Sequence, residues 1–193
     1  MCIIMRIILA STSPRRRELL EKLDIPFEII TKDTKEMFDN TKNIYDASMD
    51  IAYQKAKAVY DDIDGDIIVI GSDTIVNYNN VIMGKPKDLQ DAYRMIKDLS
   101  GKPHEVISSL CLLIRKNGIE YKELTYDKSI VNVMKLTDNE INDWINNHDV
   151  LTRAGAYAIQ DGFGKYIESI EGDYFSIVGL PLHKLYILLK KYN

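Results

Sequence analysis

What this chain of 193 residues has little of narrows its chemistry before any motif is read. It holds two cysteines, Cys2 and Cys111, too few and too far apart for a disulfide framework or a zinc site. A reducing, cytoplasmic setting is therefore the default, and Cys111, in an apolar stretch, reads as a small core hydrophobe. The three histidines, His104, His148 and His183, share no ligand spacing and support no Ser–His–Asp arrangement. There is no GxxxxGK[ST] loop and no GxGxxG fingerprint, which removes the main support for ordinary NTPase and dinucleotide readings. Long apolar runs are also missing. The first, Ile3 to Ala10, is too short to span a bilayer, is broken by Arg6 and precedes no small-residue cleavage site, so no membrane span or signal peptide is expected. Neither sign of charge dominates, with 25 Lys and Arg against 29 Asp and Glu. A formal net charge of −4 argues against a general binder of nucleic acid or membrane surfaces and directs attention to local basic clusters. No repeat, low-complexity segment or composition shift divides the chain, so a single domain over residues 1–193 with a real core is expected.

What is present begins with Ser11-Thr12-Ser13-Pro14-Arg15-Arg16-Arg17. The β-branched run from Ile3 to Ala10 reads as a buried strand. Ser13 before Pro14 reads as a helix start: the hydroxyl can cap, and proline at the first helical position sacrifices no donor. Leu19, Leu20 and Leu23 supply the helix's apolar stripe. Three arginines in a first turn oppose the helix dipole, which prefers negative charge there. An anion from outside would complete the arrangement, making a phosphate-binding corner. A solvated basic helix start is the plainer alternative.

Further along, Phe27 to Ile30 reads as a second strand, and the polar stretch Thr31 to Asn43 as a surface loop. Tyr45 to Tyr60 reads as an alanine-rich helix. Its Lys55 and Lys57 cannot share a face, so one can meet a ligand while the other is solvated. Asp66 to Ile70 is the clearest buried strand and is expected to end in Gly71-Ser72-Asp73-Thr74. Ligands of α/β sheets bind beyond strand carboxyl ends, where Asp73 would stand; a turn aspartate bonding backbone donors is the equal alternative. A hairpin about Tyr78-Asn79-Asn80 leads to Gly84-Lys85-Pro86-Lys87, where Gly84 permits close backbone approach and Lys85 is presented from a stiff loop. Asp88 caps a helix with the stripe Leu89, Ala92, Met95, Ile96 and Leu99. His104 to Arg115 and Ile119 to Val133 are strands joined at Asn117-Gly118. Thr137 to Glu140 is a capping box opening a helix through Ile141, Trp144 and Ile145. Ala156 to Gln160 and Lys165 to Ile170 look strand-like, and Pro181 starts a last helix with Leu182, Leu185, Leu188 and Leu189 inward.

Four separated motifs together carry a resemblance that none carries alone. Ile8-Leu9-Ala10-Ser11-Thr12-Ser13-Pro14-Arg15-Arg16, Gly71-Ser72-Asp73-Thr74, Gly84-Lys85-Pro86-Lys87-Asp88, and Gly172-Asp173-Tyr174 with Val178-Gly179-Leu180-Pro181-Leu182 closely resemble the Maf family, nucleoside triphosphate pyrophosphatases also described as septum-formation inhibitors. The resemblance runs nearly end to end. It implies an α/β, Maf/Ham1-like (ITPase-like) fold: a long mixed sheet with flanking helices and two lobes around a central cleft. It also implies hydrolysis between the α and β phosphates of a nucleoside triphosphate with a divalent cation, Mg2+ or Mn2+. Carried over by position, Asp73 matches the catalytic aspartate, Ser11, Arg16, Lys55 and Lys85 match phosphate-handling residues, and Glu36 with Asp73 matches the metal-holding acids. Where the family often has Asp-Glu, this chain has Lys35-Glu36, a less acidic pair.

Three positions bear on the substrate. Arg15, Thr74 and Gln160 match the branch acting on dTTP and UTP, whereas a sister branch acting on 7-methyl-GTP resembles Trp, Gln and Glu there. A uracil or thymine edge offers one N–H between two carbonyls, and a glutamine amide supplies both complements. The expected partner is thus a nucleoside triphosphate, with no nucleic acid and no membrane, and a homodimer is left open. The alternatives are the 7-methyl-GTP enzyme and a non-catalytic nucleotide-binding regulator of cell division.

Overall fold

The computed structural model describes residues 5–33 and 35–192; Cys2 and the Ile3 and Ile4 of the expected first strand lie outside the described residues. The elements in chain order are β1 (Arg6–Leu9), α1 (Pro14–Glu21), β2 (Glu28–Ile29), α2 (Ile44–Tyr60), β3 (Ile67–Tyr78), β4 (Val81–Met83), α3 (Leu89–Leu99), β5 (Pro103–Lys116), β6 (Ile119–Val133), α4 (Asp138–Asn147), β7 (Ile167–Glu171), α5 (Tyr174–Val178) and α6 (Leu182–Tyr192). Among the described residues the strands form one mixed seven-stranded sheet in the order β2-β1-β3-β5-β6-β7, with β4 paired to β3. β1 runs parallel to β2 and β3, while β3–β4 and β6–β7 are antiparallel. This is the α/β, long-sheet architecture that the motifs imply. No helix among the described residues is long and apolar enough to cross a membrane.

The chain falls into two compact units. One comprises Met1–Asp73, Ser108–Asp127 and Gly179–Asn193, the other Thr74–Ile107 and Lys128–Val178. In the first, α2 lays Ala52, Ala56 and Val59 on Ile8, Ile67 and Val69. The small alanines let the helix come close, and at Gly71 the approach is closest: a Cβ there would stand 2.1 Å from the Ala52 carbonyl oxygen. Asn43 caps α2 by accepting from the Tyr45 and Asp46 N–H groups. Cys111 is fully buried in this core, and burial pushes its thiol up to about 12. That leaves it protonated at neutral pH and without nucleophilic character.

In the second unit, α3 and α4 pack Met95, Ile96 and Leu99 with Ile141, Trp144 and Ile145. The Trp144 indole N–H donates to the Ala156 carbonyl at 3.0 Å, and its ring stacks on His148. The capping box forms as expected, with Thr137 and Glu140 each satisfying the other's backbone N–H. So do the two-residue turns: Asn79 and Asn80 (φ 52° and 62°), and Asn117 and Gly118 (φ 51° and 77°), take the left-handed conformations of the tight hairpin.

Several expectations are corrected. β3 does not end at Gly71 to Thr74; it runs through them to Tyr78. Ala156 to Gln160 is not a strand, because Gly155 and Ala156 both have positive φ (67° and 64°) and fold the chain into a turn. Leu89 is exposed rather than part of the α3 stripe, and Leu188 is half-buried. Ser13 stands at the N-cap of α1 but makes no side-chain cap. Pro181 lies one residue before α6, its carbonyl accepting from the Leu185 N–H.

His104 has a measurable consequence. It is buried (3% exposed), with Nε2 2.7 Å from the Tyr157 hydroxyl, and burial pushes its pKa down from 6.5 to about 4. The native state thus resists a proton that the unfolded chain accepts below its ordinary value. Stability is full above that value and falls as the pH drops from 6.5 toward 4. Urea titrations of the wild type and His104→Asn should differ by about 2–3 kcal/mol in the stability lost between pH 7 and pH 4.5. Equal losses would show that the imidazole is not held neutral.

Candidate active site

Six of the residues singled out in the sequence come together in the first unit, and the sheet explains why. β1 stops at Leu9, opposite Ile70, while β3 continues. The chain leaving β1 turns at Ser11 into α1, level with the Ser72-Asp73 stretch of its neighbour. Asp73 therefore lies where β1 has ended, not at the end of its own strand. By the rule that ligands gather beyond a strand's carboxyl end, the end of β1 is where one would be expected.

Lys55 is the pivot. Its Nζ lies 2.6 Å from Asp73 Oδ1 and 3.2 Å from Glu36 Oε1, and its side chain is only 16% exposed. Lys57, two residues on, pairs instead with Asp61 on the outer face of α2, as their spacing around the helix requires. Glu36 sits in a loop without regular structure, but its neighbour is fastened. The Met37 N–H donates to Gln54 Oε1 and Gln54 Nε2 donates to the Met37 carbonyl, both at 3.0 Å. Gln54 carries no motif or spacing signal, and sequence reasoning missed it.

Arg16 approaches from α1. Its Nε donates to the Gly179 carbonyl at 3.0 Å and its Nη1 to the Ser11 hydroxyl at 3.3 Å; Ser11 Oγ also accepts from the Ser13 N–H. Burial pushes the Arg16 pKa down, the Asp73 carboxylate opposes this, neighbouring Arg15 adds to the fall, and Glu36 opposes it. An arginine is not deprotonated in proteins, so the guanidinium stays charged at neutral pH. Arg17 turns outward to Glu21 and takes no part. Behind Asp73, the buried Ser109 hydroxyl donates to the Ser48 carbonyl at 2.8 Å and approaches the Asp73 carbonyl at 3.5 Å. This serine pair, also unflagged by sequence, ties α2 and β5 to the backbone of β3.

Thr74, Lys85 and Gln160 belong to the second unit. Thr74 is half-buried and follows Asp73 on β3. Lys85 is exposed, between buried Pro86 and a Gly84 whose carbonyl accepts from the Gly155 N–H. Gln160 is exposed in a turn, not at a strand end. Gly172-Asp173-Tyr174 is a structural corner: Asp173 accepts from the Phe175 N–H and Ser176 hydroxyl, and Ser129 packs where a Gly172 side chain would be.

The donor chemistry suits a hard divalent cation. Asp73 and Glu36 present carboxylate oxygens to the same ammonium, and Mg2+ is commonly held by one or two carboxylates with substrate phosphates and water. No group of three or more His, Cys, Asp or Glu able to enclose a metal occurs among the described residues. The fit is to a cation shared with a ligand rather than one caged by protein.

The chain is similar to known proteins along nearly its whole length. A family model described as Maf-like protein matches residues 6–192. A dTTP/UTP pyrophosphatase of Alkaliphilus oremlandii (strain OhILAs) is 44% identical over 189 residues, covering 97% of this chain and 96% of its own. Another, of Ruminiclostridium cellulolyticum, is 42% identical over 188 residues with the same coverage. Among solved structures, a HAM1 protein from Coxiella burnetii aligns with a TM-score of 0.52 over 97% of this chain and 99% of that one; at 13% identity the likeness is one of fold. Matched from Arg6 to Tyr192 and more than two-fifths identical to such relatives along nearly its whole length, the chain belongs to the Maf family.

Proposed function

We propose that this protein is a nucleoside triphosphate pyrophosphatase that converts dTTP and UTP to the monophosphate and pyrophosphate. The observation that supports it most is the meeting of Lys55 with Asp73 and Glu36 beside the half-buried charge of Arg16. Two cations and two acids in one place suit a polyanion that arrives with its own counter-cation. In this reading Arg16, Ser11, Lys55 and Lys85 bind phosphate oxygens, helped by the N-terminus of α1. Lys55 exchanges its carboxylate partners for phosphate, and Asp73 and Glu36 would hold a Mg2+ or Mn2+ ion. Such an ion would supply charge neutralisation and make the attacking water more acidic. Asp73 orients the water and takes up its proton. The oxygen adds to the α phosphorus, the bond from that phosphorus to the bridging oxygen breaks, and pyrophosphate leaves with the bridging oxygen and its electron pair. Arg16 and Lys85 stabilise the charge that develops there.

Arg15, Thr74 and Gln160 select the pyrimidine. The Gln160 amide offers an acceptor for the ring N–H and a donor for a flanking carbonyl, and a carboxylate would keep only the first. Gln160→Glu should lower kcat/KM for dTTP and UTP by about 10- to 100-fold with Tm unchanged, since the residue is exposed. An unaltered substrate profile would remove Gln160 from base reading.

The deciding assay incubates the protein with dTTP, UTP or 7-methyl-GTP and Mg2+ or Mn2+ in 18O-water. Pyrophosphate should appear from the two pyrimidine nucleotides, with the label in the monophosphate. Turnover of 7-methyl-GTP alone would move the chain to the sister branch. No pyrophosphate from any of the three would leave a nucleotide-binding protein without this activity.

A further inference from the structure

The Gly179 carbonyl accepts two hydrogen bonds from different elements. One comes from Arg16 Nε at 3.0 Å, on α1, and the other from Ser72 Oγ at 3.3 Å, on β3, the residue before Asp73. A carbonyl oxygen has two lone pairs, so both fit. Ser72 is fully buried and its hydroxyl is committed to this contact. Gly179 has φ 136°, a conformation open to glycine and strained for other residues, and Leu180 behind it is fully buried. The direction of the carbonyl is therefore set by the backbone and by buried anchors on both sides. It is not set by a side chain that could swing.

We infer that Ser72 and Gly179 are positioning residues for Arg16, fixing the guanidinium plane relative to the strand that carries Asp73. A guanidinium has five N–H donors in a rigid fork, and anchoring Nε on Gly179 and Nη1 on Ser11 settles which way the fork faces. A fork held in place loses less freedom when an anion docks, so the benefit appears as phosphate affinity. The inference rests on reading Arg16 as a phosphate-binding residue. It adds that the Ser72 hydroxyl, which touches no substrate in that reading, acts on the substrate through Arg16.

The test is a double-mutant cycle on the full chain with Ser72→Ala and Arg16→Ala, read by calorimetric affinity for inorganic tripolyphosphate and by KM and kcat for dTTP. Ser72→Ala should weaken tripolyphosphate binding and raise the KM by about 3- to 10-fold, the size of one net hydrogen bond, with kcat changed less than twofold. In the Arg16→Ala background the same substitution should have no further effect on affinity. A purely structural role would lower Tm equally in both backgrounds and leave the affinities additive. If Arg16→Ala weakens binding while Ser72→Ala is silent or additive, the positioning inference is wrong and the phosphate role of Arg16 stands. If Arg16→Ala itself leaves tripolyphosphate affinity unchanged, that role fails and the inference falls with it.

Discussion

Asp73→Asn is expected to lower kcat for dTTP by at least about a thousandfold, with Tm within a few degrees of the wild type and KM unchanged or lower. The split follows from what Asp73 touches. Its carboxylate faces Lys55 at 2.6 Å and opposes the burial of Arg16. An amide of the same shape still accepts from Lys55, which also keeps Glu36 at 3.2 Å, so little folding energy is lost. Because Glu36 stays beside it, the lysine is not left as an uncompensated buried charge, the situation that makes breaking such a pair costly. What the amide cannot do is receive a proton from attacking water or balance a divalent cation. The contribution of Asp73 as a proton acceptor depends on water already made more acidic. Removing one negative charge among Lys55, Arg15 and Arg16 leaves the place more positive, and a triphosphate should bind at least as well. Steady-state kinetics beside a thermal melt would check both halves. Turnover at the parental rate would show that Asp73 has no part in the chemistry.

The parts of this fold legible in the sequence are those whose physics is local. Asn117-Gly118 and Asn79-Asn80 tolerate left-handed backbone, so their hairpins could be placed from two residues each. The Thr137–Glu140 box satisfies donors three residues apart, and the opposite fates of Lys55 and Lys57 follow from helical spacing. Long-range contacts decided what was missed. Gly71 and Asp73 have poor strand propensity, which suggested an end to β3, yet its neighbours carry the strand through to Tyr78. Ala156 to Gln160 has the apolar look of a strand, but the left-handed pair at Gly155 and Ala156 makes a turn. The candidate site shows the same division. Ser11, Arg16 and Asp73 stood out as residue types in motifs. The Gln54 amide gripping Met37, the serine pair behind Asp73 and the Gly179 carbonyl under Arg16 did not. Those groups act through backbone atoms, which every residue has, so no residue type announces them.

Two of the four motif glycines, Gly71 and Gly84, behave in the same way and set the second large effect. In sequence, Gly84 is the one that invites close backbone approach, yet a Cβ on it would meet nothing within 4 Å. Gly71 is where the space is missing: a Cβ would lie 2.1 Å from the Ala52 carbonyl oxygen and 2.9 Å from both the backbone nitrogen and the Cβ of Ala56. These atoms belong to the middle of α2, whose carbonyls are locked in helical hydrogen bonds, so no rotamer change relieves the clash. Restoring van der Waals separation requires α2 to move off β3 by about 1 Å. That disturbs the packing of Ala52 and Ala56 on Ile67 and Val69, and overpacking of this kind costs about 1–3 kcal/mol or more. It also carries Lys55 away from Asp73, because the lysine is held on the same turn of helix as Ala56 and Ala52. Misplacement on this scale typically costs about 100-fold in rate. Gly71→Ala should therefore lower Tm by at least about 5 °C and kcat/KM for dTTP by about 100-fold, whereas Gly84→Ala should leave Tm unchanged. If Gly71→Ala melts and turns over like the wild type, α2 is not seated on β3 through that glycine. The position of Lys55 would then need another cause.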